Sequence, residues 1–461
     1  MAGRAVKGMR KAIAVIGVIL LIFFSFCLSG CKRESDPPHF EERFEIPEFT
    51  RGKWEGSFNS SGTTEVKRYA ATTQRDFEEY KDTLILSGFS LYDENQIENN
   101  FFATLTKEEV SVHLSWFGNA KVMRIIAEEK GEMCPLTETC QAQVTPLLTG
   151  YKDQTVVAAE GMGYIVRLSD GSFCIIDGGM GDPNHVDSDN IMRILREQSP
   201  AGVEKPVVAA WIFTHLHGDH VGAFNCFSLD HHDEVIIERL VYNFPKEEEI
   251  AVSDSVYMLD DSIYRWNQFK KNLSDFYSDV PVLKVHTGDR FQVRDAHFEV
   301  LYTLEEMYPQ TIADGWGLNE SSLLLKMSFA GQTFLWTGDF GSIAESIVMS
   351  AYSARTLSCD FLQMAHHGMN GSVRMYAAVD PEYALLPIWY GLDESGSSSI
   401  DFALSYEQNA WLARSEKMKQ MIVTACGTWT IALPYAPDPD KIMRIPSIDT
   451  IYPSYPALLG R

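Results

Sequence analysis

The stretch 207-VVAAWIFTHLHGDH-220 joins an apolar run, Val207–Phe213, to seven residues that hold three histidines and an aspartate. A run of that length and composition reads as a buried strand, and the polar residues after it leave the strand on a loop. Imidazoles and a carboxylate together bind borderline divalent metals at ~2.0–2.2 Å. His215 and His217, two residues apart, point their rings the same way at strand period. Asp219 and His220 follow on the turn back and can hold a second ion. Three histidines within six residues, directly behind a buried strand, are a poor fit to chance surface decoration.

Moving outward, other strand ends repeat the pattern. Asp177 closes FCII in Asp177-Gly178-Gly179, Asp339 closes FLWT in Gly338-Asp339-Phe340, and His366 and His367 close FLQMA in His366-His367-Gly368. Each alone is weak, since a strand-end Asp-Gly is usually a turn. The strands themselves are expected at Tyr164–Leu168, Phe173–Ile176, Val207–Phe213, Val235–Val241, Phe298–Tyr302, Leu323–Phe329, Thr333–Trp336 and Phe361–Ala365. Helices such as Ser188–Glu197 and Tyr406–Met418 interleave with them, which makes an α/β or α+β sandwich.

H-L-H-G-D-H, with D-G-G before it and T-G-D and H-H-G after it, resembles the metallo-β-lactamase superfamily. The T-G-D and H-H-G forms, with Asn319-x-Ser321 before an apolar strand, are similar to the hydrolase domain of bacterial competence proteins. They are also similar to secreted phosphodiesterases, including phosphorylcholine esterases. The resemblance covers about 143–435. It implies an α+β fold, the αββα sandwich, with two divalent metal ions at one edge of the sheets, zinc before manganese. His215 and His217 then go to the first metal, Asp219 and His220 to the second, and Asp339 bridges both. His366, which directly ends its strand, is the expected remaining ligand, with His367 facing substrate; the reverse order stays open. Asp177 resembles the carboxylate that orients the ligand histidines.

The implied activity is hydrolysis of a phosphodiester-type bond by a hydroxide shared between the metals, with Asp219 orienting it and His367 acting as proton donor. Hydrolysis of carbon esters, lactones or β-lactams at the same metals is the alternative, and a non-catalytic metal-binding surface lipoprotein is a third. Many members carry one more histidine for the first metal. His231, His232, His286 and His297 are the residues available, and none has a ligand-like setting; His231 and His232 are expected to be exposed. His185 is read as an exposed loop histidine and His113 as a packing or surface one. Trp316, Trp389 and Tyr390 sit in Gly-bearing loops that suit a binding wall but more often serve as packing.

The rest of the chain sets the location. Basic Met1–Lys11, apolar Ala12–Leu28 and Leu28-Ser29-Gly30-Cys31 have the order of a secretory signal, and the ending resembles a bacterial lipobox. A signal peptide over 1–30 and a lipid on Cys31 are expected, the alternative being a transmembrane anchor. Residues 31–52 read as a tether, 53–130 as a small α+β domain, 131–142 as a linker and 436–461 as a tail. The small domain is expected to be one helix, Thr73–Leu86, followed by strands at Asn100–Leu105, Val110–Trp116 and Lys121–Ala127. Four basic and no acidic residues precede Cys31, so removing them takes the formal charge from −24 to −28. So acidic a chain repels phosphate backbones, which makes nucleic acid an unlikely partner. The expected partners are a small-molecule or surface-polymer ester and the membrane; no partner protein is readable. Cys134 and Cys140 are close enough in sequence to close a disulfide loop, while Cys174, Cys226, Cys359 and Cys426 read as buried thiols.

Overall fold

The structure, a computed structural model, describes residues 44–131 except 62, 143–146, 162–257 except 182, 262–312, 317–388, 399–424 and 430–436. The chain divides after Glu41, and every described residue falls in the second unit, Glu42–Arg461. The signal segment with Cys27 and Cys31, most of the tether, the linker with Cys134 and Cys140, Cys426, nearly all of the tail, and Trp316, Trp389 and Tyr390 lie outside the described residues. Among the described residues, no helix is long and apolar enough to cross a membrane.

Residues 53–129 build an antiparallel sheet from β1 (Lys53–Asn59), β2 (Thr64–Ala70), β3 (Ser90–Ile97), β4 (Asn100–Lys107), β5 (Val110–Phe117) and β6 (Val122–Glu129). Their order is β1-β2-β6-β5-β4-β3. Helix α1 (Gln74–Leu86) starts at a capping box. Thr73 Oγ1 accepts from the Asp76 amide, and Asp76 accepts back from the Thr73 amide. Its Phe77, Tyr80 and Leu84 are buried, as their helical spacing predicts. The edge strands β1 and β3 and the neighbouring β2 were not foreseen. KWEGSFN and SLYDENQI, largely polar and solvent-facing, lack the apolar alternation that marks a half-buried strand.

Two further sheets follow. One is made by β7 (Gln143–Pro146), β8 (Gly163–Arg167), β9 (Phe173–Asp177), β10 (Val207–Ile212), β11 (Ile236–Ile237), β12 (Leu240–Val241) and β13 (Val282–Leu283). The other contains β14 (Arg290–Val293), β15 (Ala296–Tyr302), β16 (Leu324–Phe329), β17 (Gln332–Trp336), β18 (Phe361–Gln363), β19 (Tyr383–Leu386) and β20 (Gln420–Val423), in that order. A last strand, β21 (Ile431–Ala432), returns to pair with β7. Helices α2 (Val186–Gln198), α3 (Gly218–Asp230), α4 (Glu247–Tyr257), α5 (Ser262–Phe276), α6 (Ser342–Ala351), α7 (Ala354–Leu357), α8 (Val373–Val379), α9 (Ser399–Ser405) and α10 (Glu407–Leu412) fill the connections.

The two sheets share one apolar core. Tyr164 of β8 and Trp336 of β17 meet in it, with ring centroids 4.9 Å apart. On the other face of the first sheet, Trp211 of β10 packs edge-on against Phe224 and Phe227 of α3, and Phe224 packs on Phe269 of α5. β9 and β10 run parallel, as do β17 and β18. Parallel strands are covered on both faces, which is why they read as unbroken apolar runs. Their C-terminal ends therefore emerge together.

Two expected elements differ. Val235–Val241 is interrupted, and its halves pair separately with β10, Ile236 opposite Val207 and Leu240 opposite Trp211. Between them Glu238 turns out to meet Arg294. The helix expected over Tyr406–Met418 is shorter and displaced: Tyr406 is the N-cap of α10, α9 precedes it, and Gln420 already belongs to β20.

Candidate metal centre

Each strand end delivers its residues to one place. β9 ends at Asp177, which takes a left-handed backbone at φ 54°. Its fully buried carboxylate accepts from the Thr214 amide at 2.7 Å, from Thr214 Oγ1 at 2.7 Å and from His220 Nδ1 at 2.9 Å. The loop leaving β10 is thereby pinned to the end of β9. His217 is the N-cap of α3, so Asp219 and His220 lie in its first turn.

With its Nδ1 on Asp177, His220 turns Nε2 toward Asp339 Oδ1 at 3.2 Å. Both atoms are buried without a hydrogen-bond partner. A ring nitrogen and a carboxylate oxygen facing each other take either a proton or a metal cation between them. His215 Nε2 is 3.0 Å from His217 Nδ1 and 3.8 Å from Asp339 Oδ2, so Asp339 offers one oxygen to each pair. Two donor groups result at this place: Asp219, His220, Asp339 and His367, and His215, His217 and Asp339. The donor set fits divalent metals, with mixed imidazole and carboxylate ligands of the kind zinc and its neighbours accept.

The histidine pair after β18 is placed opposite to the expected order. His367 is fully buried; its Nδ1 donates to the Pro387 carbonyl at 2.6 Å, leaving Nε2 turned to Asp219 Oδ2 at 3.0 Å. His366 is about a quarter exposed, with Nε2 at 3.7 Å from Asp339 Oδ2 and Asn319 Nδ2 at 3.3 Å from its Nδ1. Both residues have left-handed backbones, φ 49° and 55°, so the chain turns tightly and swings the second ring, not the first, into the centre. His367, with its proton on Nδ1, thus presents Nε2 to the donor group, whereas His366 is the more exposed of the two.

Burial opposes charge on His220 and His367, yet the carboxylates, Asp339 foremost, raise His220 well above its usual range and His367 to about 9, so a proton competes with a metal at both rings. Burial raises the Asp219 carboxyl, but His220 and His367 outweigh it and hold it down at about 2. Asp339 is likewise pulled well below the usual range by His220, His366 and His367 against its burial. His215 is driven well down by burial and by the His220 and His217 rings, which leaves it a neutral donor.

Supporting residues came without a sequence signal. Ser322 Oγ accepts from the Asp339 amide and Asn370 donates to its carbonyl. Gly338, at φ 52°, passes so near Thr214 that a Cβ would stand 2.7 Å from its Oγ1. Arg265 of α5 lies against Gly181, in the loop after β9, and Gly218, the first residue of α3. A methyl at Gly181 would be 3.0 Å from its Nη1, and one at Gly218 3.1 Å from its Nε.

The remaining histidines sit elsewhere. His231 is not solvent-exposed as expected, but bridges Asp189 and Glu234 at 3.0 Å each. His232 stacks on Phe276 at 4.1 Å. His297 is exposed on β15. His185 caps α2 and binds Asp230. His286 and His113 are buried together beside Glu128, where His113 is more than a packing residue.

ComE operon protein 3 of Bacillus subtilis is 27% identical over 165 residues, 35% of this chain. The chain itself is an α+β protein whose two larger sheets share one core. The match spans 17% of the length of that relative. Among solved structures, the metallo-beta-lactamase fold protein YhfI of Bacillus subtilis aligns over 62% of this chain and 99% of its own, at 11% identity and a TM-score of 0.35. CmlA of Streptomyces venezuelae, a diiron beta-hydroxylase, aligns over 67% of this chain and 55% of its own, at 12% identity and a TM-score of 0.35. No family model matches the chain.

Proposed function

We propose that this chain is a metallo-β-lactamase-fold, metal-dependent hydrolase of phosphodiester-type bonds. It acts outside the cytoplasm on a small-molecule or surface-polymer ester, and a lipid on Cys31 holds it at the membrane. His215, His217 and Asp339 would hold one divalent cation, and Asp219, His220, Asp339 and His367 the other, with zinc the first choice. Bound there, the ions supply a water acidified toward pH ~7 and charge stabilisation for the reacting group. Asp219, against the His367 ring, orients the attacking water. His367 has both nitrogens engaged, so the proton for the leaving oxygen falls to His366, which Asn319 positions from the cleft side.

The observation that carries the choice of an anionic ester is Arg265. Its guanidinium lies beside Gly218, next to the metal-binding loop, with no carboxylate partner among the described residues. A planar cation there suits a phosphoryl oxygen and gives a neutral ester nothing.

The test is hydrolysis of bis(p-nitrophenyl) phosphate with zinc or manganese, by the purified chain and by His217→Ala and Arg265→Gln. Activity abolished by the first change and KM raised several-fold by the second support the reading. Equal turnover of neutral p-nitrophenyl acetate, indifferent to Arg265→Gln, would move the substrate to carbon esters, lactones or lactams. Retained metal without turnover of either would leave a binding role.

A further inference from the structure

A second set of buried imidazole and carboxylate donors lies where the sheet of residues 53–129 meets the rest of the unit. His113 stands on β5, Glu128 on the adjoining β6, and His286 in the turn before β14; all three are buried. His286 Nε2 is 3.0 Å from Glu128 Oε1, and His113 Nε2 is 3.5 Å from the same oxygen. The two ring centroids are 4.3 Å apart. His113 Nε2 is buried with no hydrogen-bond partner.

The far nitrogen of each ring is met by a carboxylate. His286 Nδ1 stands 3.2 Å from Glu305 Oε1, and His113 Nδ1 stands 3.4 Å from Asp289 Oδ1 and 3.2 Å from Thr104 Oγ1. Carboxylates behind Nδ1 fix a histidine's tautomer and aim Nε2 at a metal. Glu128 is fixed as well, since Oε2 is held by Thr64 Oγ1 and Lys284 Nζ, each at 3.0 Å, which leaves Oε1 for the two rings. A cavity of about 280 Å³ opens on His113, Glu128, Lys284 and Asp289.

We propose that His113, Glu128 and His286 form a site for one zinc-type divalent cation, bound through the two Nε2 atoms and Glu128 Oε1. Water from the cavity completes a tetrahedron. Donors at ~2.0–2.2 Å from a tetrahedral ion stand roughly 3.3–3.6 Å apart, so the 3.5 Å contact already fits and the 3.0 Å one needs a shift of a few tenths. Two histidines and one glutamate with an open position are a recurrent zinc set. Charge points the same way: among the described residues, Lys284 is the fixed cation acting on Glu128 and Glu305, Asp289 adds a third carboxylate, and one divalent ion with neutral histidines cancels the remainder. The ion would tie β5 and β6 to the turn before β14. Its competitor is a proton on each ring; burial opposes that charge, but Glu128 and Glu305 hold the His286 pKa up at about 10.

The site is independent of the proposed hydrolase centre, and the experiment keeps the two apart. The full chain with His215→Ala and His220→Ala, stripped by chelator, is titrated with Co²⁺ and then Zn²⁺. We expect one tight equivalent, a tetrahedral Co²⁺ visible spectrum, and a Tm raised by several degrees in excess zinc. Adding His113→Gln, which retains a donor toward Thr104, abolishes all three; Glu128→Gln does the same, and circular dichroism checks that each is folded. No equivalent bound by the double variant, or one unaffected by His113→Gln, overturns the site and leaves the protonated pair. Failure of the other centre shows separately, as equal zinc content in the wild type and the His215/His220 variant.

Discussion

Asp177 holds Thr214 with both of its carboxylate oxygens, one on the amide and one on Oγ1, each at 2.7 Å, while keeping His220 Nδ1 at 2.9 Å. One buried side chain thus sets the path of the loop after β10 and the tautomer of a metal-facing ring. Asp177→Asn keeps the shape but turns an acceptor into a donor on one side. Zinc affinity measured by chelator competition should fall about 10–100-fold, as for loss of such an orienting carboxylate, with the far-ultraviolet dichroism unchanged. Unaltered affinity would make Asp177 merely a loop brace.

His366 and His367 are adjacent in sequence but differ in setting, one about a quarter exposed and the other fully buried. His367→Ala should lose about one equivalent of metal, because the ring aimed at Asp219 disappears. His366→Ala should keep its metal and lose turnover by about 10²–10⁴-fold, the range for a general acid. The reading is a metal count beside an activity assay. If His366→Ala loses an equivalent instead, His366 is a further nitrogen for the His215 and His217 pair across Asp339.

What the sequence made legible was whatever sits at the end of a buried strand. The run before His215 and the runs before Asp177, Asp339 and His366 are apolar on both faces, so their ends could be located and the centre assembled from them. The order of His366 and His367 was not legible, because it depends on two successive left-handed residues rather than on spacing. Arg265 gave no signal: it comes from the first turn of α5, and only the fold sets it against Gly181 and Gly218. β1 and β3 escaped for a different reason, since edge strands with polar faces carry no period-2 apolar pattern. His286 looked unlike a ligand beside Thr287-Gly288-Asp289, and only the fold brings β5 and β6 against it.

Arg124 of β6 and Glu306, in the turn after β15, form a buried ion pair joining the sheet of residues 53–129 to the rest of the unit. Arg124 Nη2 also donates to the Glu306 carbonyl at 3.3 Å. Burial raises the Glu306 carboxyl above its usual range in spite of Arg124, so desolvation is the larger influence there. Arg124→Ala should therefore destabilise by about 3–5 kcal/mol in urea unfolding, because a buried carboxylate loses its paired charge and keeps only Thr287 and the weaker pull of Arg68. Arg124→Met with Glu306→Leu should recover most of that loss. A single-variant cost under about 1 kcal/mol, the worth of an exposed pair, would mean the pair is hydrated.

Cys359, between α7 and β18, is 4% exposed, and its Sγ donates to the Phe361 carbonyl at 3.0 Å. Burial pushes the thiol up to about 12, against the opposing pull of Lys326. An acid whose folded pKa is raised keeps its proton longer when folded than when unfolded. Its contribution to stability is therefore whole below the unfolded value of ~8.5 and declines as pH rises from there toward 12. Between pH 8.5 and 10.5 the wild type should lose stability faster than Cys359→Ala, by at most about 1.4 kcal/mol per pH unit. Iodoacetamide at pH 8.5, followed by peptide mass mapping, should leave Cys359 intact in the folded chain and alkylate it in urea. Alkylation at the same rate in both would show that the thiol is neither shielded nor held protonated by the fold.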